Sequence, residues 1–301
     1  MLRILNHRNF ILSLSLISGF ILGDCTEWLA SASVWILAIV MVFATTGFAF
    51  SEWKPWKQTA GIIFQSFLLN YVLFGILLIG AGFLLFSNEL MITGIILLAV
   101  SPPGPSVVPF SAVMKGDVRY AVTGVFGLHL LAIAITPIAL YLLLEKSAIS
   151  PILVVVIMIK VIVAPLLISR FLRHPKILPT IEKMRGYAIN WGFFLVVMPI
   201  VGLSKNLILS NPKLLLINSL LFATLMFGGG LVFNFVMKKL KSNKPRIIAS
   251  NLMFTTKSSA FAAVASFSLL PRETALPSAI HAVFVTLYFI IFEMVMRRKV
   301  G

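Results

Sequence analysis

"SPPGPSVVP", residues 101–109, sets Pro102, Pro103, Pro105 and Pro109 inside a long apolar run. Proline has no N–H to donate and clashes with the preceding turn, so a helix that enters this stretch must stop there. Hydrocarbon cannot solvate the backbone groups released by the break. They are tolerated only where protein surrounds them or a wet cavity receives them. The stretch therefore predicts a membrane helix interrupted near residues 101–105, with Pro105 pre-set for a new helical start and Ser106 placed to cap it.

The surrounding chain supports a membrane reading. Of 301 residues, 59% are hydrophobic and only 11% charged, against roughly 25% charged in soluble domains. Ten apolar spans can be read, at residues 9–23, 28–50, 59–86, 90–113, 118–144, 149–171, 187–208, 213–237, 246–270 and 275–296. They leave no room for a separate soluble domain. The N-terminus has the basic start and apolar run of a signal peptide, but Asp24 directly precedes Cys25 and no small-x-small cleavage pattern follows. It is read as a retained first span.

The net charge of +16 does not call for nucleic acid, because its placement follows membrane topology. With the N-terminus inside, nineteen of the twenty-five Lys and Arg residues fall in inner segments and four, Lys146, Lys205, Lys213 and Arg272, in outer ones. That asymmetry predicts a multi-pass membrane protein with both termini cytoplasmic; the expected location is the cell membrane, a bacterial inner membrane. Lys160 and Lys257 are left inside the membrane. All nine carboxylates, Glu52 and Glu145 among them, lie in loops or near span ends, and no DDxxD-like or HExxH pattern occurs, so an enzyme using paired acids is disfavoured. One cysteine excludes an internal disulfide framework or a cysteine-rich metal site.

The ninth span carries a second interruption, the polar block Thr255, Thr256, Lys257, Ser258 and Ser259 between apolar flanks. The fourth and ninth spans are the fourth members of two sets of five. Interrupted spans at matching positions of two halves point to an inverted-repeat transporter with its substrate bound where the breaks meet. The bland alternative is a proline kink in one span and hydrogen-bonded helix packing in the other.

"KGDV" at 115–118, "TP" at Thr136 and Pro137, "PSAI" at 277–280 and Gln65 in "IIFQSFLLN" resemble motifs of the bile acid:sodium symporter family. The resemblance covers most of residues 60–290. It implies an all-α fold of ten transmembrane helices in two inverted five-helix repeats, with broken fourth and ninth helices. It also implies a panel domain of spans 1, 2, 6 and 7 (1–56 and 147–210) and a core domain of spans 3–5 and 8–10 (57–146 and 211–301). Transport is expected to proceed by movement of core against panel.

The departures from the family concern sodium. Val107 and Val108 stand where the family carries a Ser-Asn pair, Ala121 and Val125 where it has hydroxyl ligands, and Asn251, or a neighbour, where it has a glutamate. Hydrocarbon supplies no oxygen to a bare cation. Of the family's second site Gln65 remains, with Asn251 and Thr255 as candidate neighbours.

Lys257 is the sharpest candidate for a replacement, because a mid-membrane ammonium is costly and normally kept for function. It could stand where the ion would, holding the crossing together or titrating during transport, or it could pair directly with an anionic substrate; the bland reading is a snorkelling side chain. Lys160, in the sixth span, is open between function and pairing with carbonyls at a helix contact. His129 is read either as a hydrogen-bonded core histidine or as a proton carrier.

The sequence thus predicts a secondary transporter of a small organic anion working by alternating access, proton-linked or uncoupled. The expected substrate site is Pro103, Gly104, Pro105, Ser106, Asn251, Thr255, Thr256, Lys257 and Ser258, with Lys257, His129 and Gln65 as coupling residues. No cofactor is expected, and sodium is disfavoured. The expected partners are the anion and membrane lipid, with no nucleic acid and no obligate protein partner. The alternatives are a sodium symporter with a weakened site around Gln65 and a non-transporting sensor or scaffold of the same fold.

Overall fold

The computed structural model describes residues 8–49, 53–144 and 151–298. Arg3, Glu52, Glu145, Lys146 and Lys299, used in the charge and carboxylate readings, lie outside them. Among the described residues the regular elements are all helices, joined by turns and two breaks, and there are no strands. Seven continuous helical segments are long and apolar enough to cross a membrane.

The first of these, Phe10–Thr46, is two helices: α1 (Arg8–Leu22) and α2 (Glu27–Thr46), joined by a tight turn, Gly23–Thr26. Gly23 adopts φ +54°, a left-handed conformation that glycine accepts without a Cβ clash, and the chain reverses there. The reversal is recorded by α8 (Leu178–Ser210), which packs on both. Along α2 the neighbours run Thr26 to Gly202, Val40 to Gly192 and Gly47 to Arg185, antiparallel; along α1 they run Gly19 to Met198 and Gly23 to Lys205, parallel.

α8 begins nine residues earlier than the seventh span read from sequence. Its first turns, "LPTIEKMRG", are too polar to register as membrane-spanning but continue the same helix. α7 (Ile152–Leu172) runs beside α2, with the Arg170 guanidinium donating to Thr45 O and Phe48 O at the end of α2.

The remaining helices surround two interrupted ones. α3 (Trp56–Leu85) has a π-helical stretch at Leu68–Gly75. α4 (Glu89–Ala99) and α5 (Val107–Val113) are separated by the proline segment. α6 (Val118–Leu143) follows a turn that accounts for "KGDV": Lys115 at φ +58° closes α5, Gly116 N–H bonds Ser111 O at 2.7 Å, and Asp117 caps α6 through Tyr120 N–H at 2.9 Å. α9 (Pro212–Lys239) leads to α10 (Lys244–Thr255), which Asn243 caps, and then to α11 (Ser259–Leu269) and α12 (Leu276–Arg298).

One continuous apolar core joins these elements. It includes Val107, Ala121 and Val125, all fully buried, so the positions noted for lost sodium ligands are filled with hydrocarbon.

Candidate functional site

The two breaks meet. Residues 100–106 leave α4 and residues 256–258 leave α10, and Ser258 N–H donates to Pro102 O at 2.9 Å across the crossing. Gly104 permits this approach, since a Cβ there would lie 3.2 Å from Ser106 Oγ and 3.5 Å from Lys257 O.

At each break one helix ends and another begins, so partial negative charge gathers at the carbonyl ends and partial positive charge at the new N-termini. The carbonyl ends are served by three side chains. Thr136 of the "TP" pair donates to Val100 O at 2.6 Å. Asn70 Nδ2 donates to Met253 O at 2.8 Å and Thr256 O at 3.0 Å. Lys257 Nζ donates to Asn70 Oδ1 at 2.8 Å and Ser101 O at 3.1 Å, and sits 4.3 Å from the centre of the Tyr71 ring.

Lys257 is 1% exposed, so its ammonium is held by those partners rather than by water. Snorkelling is thereby set aside. The arrangement is a cation bolted where two helix C-termini converge, with an aromatic face beneath it. Direct pairing of the ammonium with a solute is less well served, because its two hydrogen-bond partners and the Tyr71 ring all belong to the crossing.

On the other side of the breaks lies a cavity of about 70 Å³, enough for a few waters. Gly104, Pro105, Ser106, Lys257, Ser258 and Ser259 line it, facing Asn190 and Phe193 of α8. Ser258 caps α11 by accepting from Phe261 N–H at 3.2 Å. Ser106, expected to do the same for α5, stands at the N-cap position with helical angles and makes no capping bond. Its backbone has already turned into the helix, which carries the hydroxyl out of reach.

The other sequence-derived residues are distributed unevenly. Pro103 and Thr256 are buried at the crossing, and Thr256 Oγ1 has no hydrogen-bond partner among the described residues. Thr255 bonds back to Asn251 O at 2.9 Å. Asn251 faces away from Gln65: it donates to Gly230 O and Asn234 and accepts from Tyr288, linking α10 to α9 and α12.

Gln65 Oε1 accepts from Arg246 at 2.6 Å, and the same guanidinium contacts Asp117 at 3.3 Å and lies 3.6 Å over the Tyr120 ring. Gln65, Asn251 and Thr255 are therefore not gathered into one oxygen cage. His129 Nδ1 donates to Val125 O at 2.7 Å and lines a separate small cavity with Met41 and Phe48. Lys160 is on the outer face of α7, its ammonium 5.4 Å over Trp35.

Asn70 was missed by sequence reasoning. The available signal was a lone amide in the apolar run "FLLNYVLFG", where a polar side chain is retained for a hydrogen bond. The π-helical stretch that contains both Asn70 and Tyr71, a local irregularity often found at functional sites, has no comparable sequence mark.

No curated protein matches the chain. A model of the sodium bile acid symporter family matches residues 34–211, from α2 to the end of α8, which is well over half of the 301 residues. Lys257 lies beyond the matched range. The helical architecture and this match agree: the chain belongs to the sodium bile acid symporter family, a family of multi-pass membrane transporters.

Proposed function

We propose that this transporter moves a small organic anion by alternating access without using sodium, the Lys257 ammonium standing where a coupling cation would bind. The observation that carries the reading is the bonding of Lys257 Nζ to Asn70 and Ser101 O at the carbonyl ends of the two broken helices. Such a place attracts a cation by the helix dipoles alone, and a tethered ammonium occupies it at no cost in ion concentration. Movement is then uncoupled, or linked to protons if the ammonium gives up its proton during the cycle.

The anion's place is the cavity on the N-terminal side of the breaks, against Ser106 and Ser258 to Ala260. The N-terminus of α11 favours negative charge there, and no buried carboxylate among the described residues would attract a cation. The architecture proposed is the ten-span inverted repeat, termini inside, with α1, α2, α7 and α8 as panel and the rest as core. Two features support it: breaks in the fourth and ninth spans, and π-helical stretches in the third and eighth, at Leu68–Gly75 and Ala223–Gly228.

The test is uptake of a panel of labelled carboxylates into proteoliposomes under sodium and proton gradients imposed separately. Uptake of at least one carboxylate, indifferent to the sodium gradient, is expected. Uptake that requires sodium overturns the tethered-cation reading, and preference for an organic cation overturns the anion reading. Ligand binding with no movement of any solute favours a sensor.

A further inference from the structure

A larger cavity, of about 440 Å³, lies between α1 and α8 on one side and α9 and α12 on the other. Its walls include Phe20, Ile21, Val201, Ile208, Leu215 and Ala279, and among the described residues Ser219 is its only polar lining residue. In a bilayer such a groove is filled by hydrocarbon. One end carries charge. Lys205 lies between Val201 and Ile208 on α8, its ammonium 5.6 Å from the ring of Phe20 in the groove wall. A Cβ on Gly23 would lie 3.8 Å from that ammonium, which puts Lys205 beside the Gly23 turn and hence beside the exposed Asp24. Asp24 accepts from Asn206, the residue after Lys205, at 2.8 Å. An apolar slot thus ends at one cation and one anion, both at the end of the membrane-spanning helices.

We propose that this groove binds one zwitterionic aminophospholipid of the phosphatidylethanolamine type. One acyl chain lies along α1 and α8, the phosphate meets Lys205, and the primary ammonium donates to Asp24. Basic pockets between membrane helices bind lipid head groups, and charge-assisted bonds to phosphate and carboxylate are the stronger kind. A purely anionic headgroup would meet the Lys205 ammonium but would be repelled by Asp24. A choline headgroup has no N–H for the carboxylate. The inner end of the groove stops at Leu16, Val197, Val201 and Ala282, a packed cluster; Val197 and Ala282 also line the cavity at the crossing. A lipid held there would bridge the two groups of helices that the transport proposal sets in motion, although its binding does not rest on that proposal.

The test is native mass spectrometry of the purified full chain in mild detergent, titrated with phosphatidylethanolamine, phosphatidylcholine or phosphatidylglycerol of matched acyl chains. One phosphatidylethanolamine is expected to be retained several-fold more than either other lipid. Lys205→Gln should reduce that retention several-fold. Asp24→Asn should erase the preference over phosphatidylcholine, and Ile17→Trp, which projects a ring into the groove from an exposed position, should reduce all three. The charge variants lie at the helix ends, and an unchanged thermal midpoint shows that each is folded. Equal retention of the three lipids, preference for phosphatidylglycerol, or unaltered phosphatidylethanolamine binding by folded Lys205→Gln would overturn the proposal.

Discussion

The two helix breaks reach the same geometry by different means. The first spans residues 100–106 and contains three prolines and a glycine, so the chain cannot be helical there whatever surrounds it. The second spans Thr256 to Ser258 and contains no residue that forbids a helix. It is held open from outside, by Asn70 on Met253 O and Thr256 O, by the Lys257 ammonium reaching to Ser101 O, and by Ser258 N–H on Pro102 O. One break is written into local covalent structure and the other is enforced by tertiary contacts, half of which Asn70 makes.

This contrast can be tested by asking how much each break loses when a support is removed. The largest effect is expected from Asn70→Ala, which strands two buried carbonyls and deprives the ammonium of one partner. Each buried carbonyl left unsatisfied costs about 1–3 kcal/mol, and two are stranded together here. Unfolding in mixed detergent micelles would read it as a large drop in stability. A loss under about 1 kcal/mol, the size of one ordinary hydrogen bond, would mean that the second break does not depend on Asn70.

A smaller loss is expected at the first break from Thr136→Val, which removes one bond to Val100 O and leaves that carbonyl unserved, at about 1–3 kcal/mol. The same unfolding assay applies, and an effect as large as that of Asn70→Ala would erase the proposed difference between the breaks. The smallest is expected from Pro103→Ala, at about 0.4–1 kcal/mol through the freer unfolded chain. Pro102 and Pro105 still interrupt the helix, so uptake should persist. Collapse of that variant would show that the prolines act together and not redundantly.

The same contrast explains what could be read from the sequence. The first break was legible because proline's constraint is local. The position of the second was legible because Lys257 and its hydroxyl neighbours are conspicuous in an apolar span. What holds the second break open was not legible. Asn70 lies 187 residues from Lys257, and one amide carries no signal of which distant carbonyl it meets.

The sodium-site residues show the limit from the other side. Gln65 carries the family's residue type, yet its oxygen is engaged by Arg246, a partner 181 residues away. The capping role given to Ser106 failed by a single backbone angle, and Ser258, expected only as a substrate-site residue, also makes a cap. The extra turns of α8 were hidden because hydropathy detects burial in lipid and not the continuation of a helix beyond it.

In the proposed scheme a tethered ammonium does the work of an ion at the meeting of two helix ends. Its most direct test is uptake by Lys257→Ala proteoliposomes beside wild type, each with and without a sodium gradient, using a carboxylate that the wild type carries. Wild-type uptake should be indifferent to sodium, and the variant should lose at least tenfold. Undiminished uptake by Lys257→Ala without sodium would contradict it.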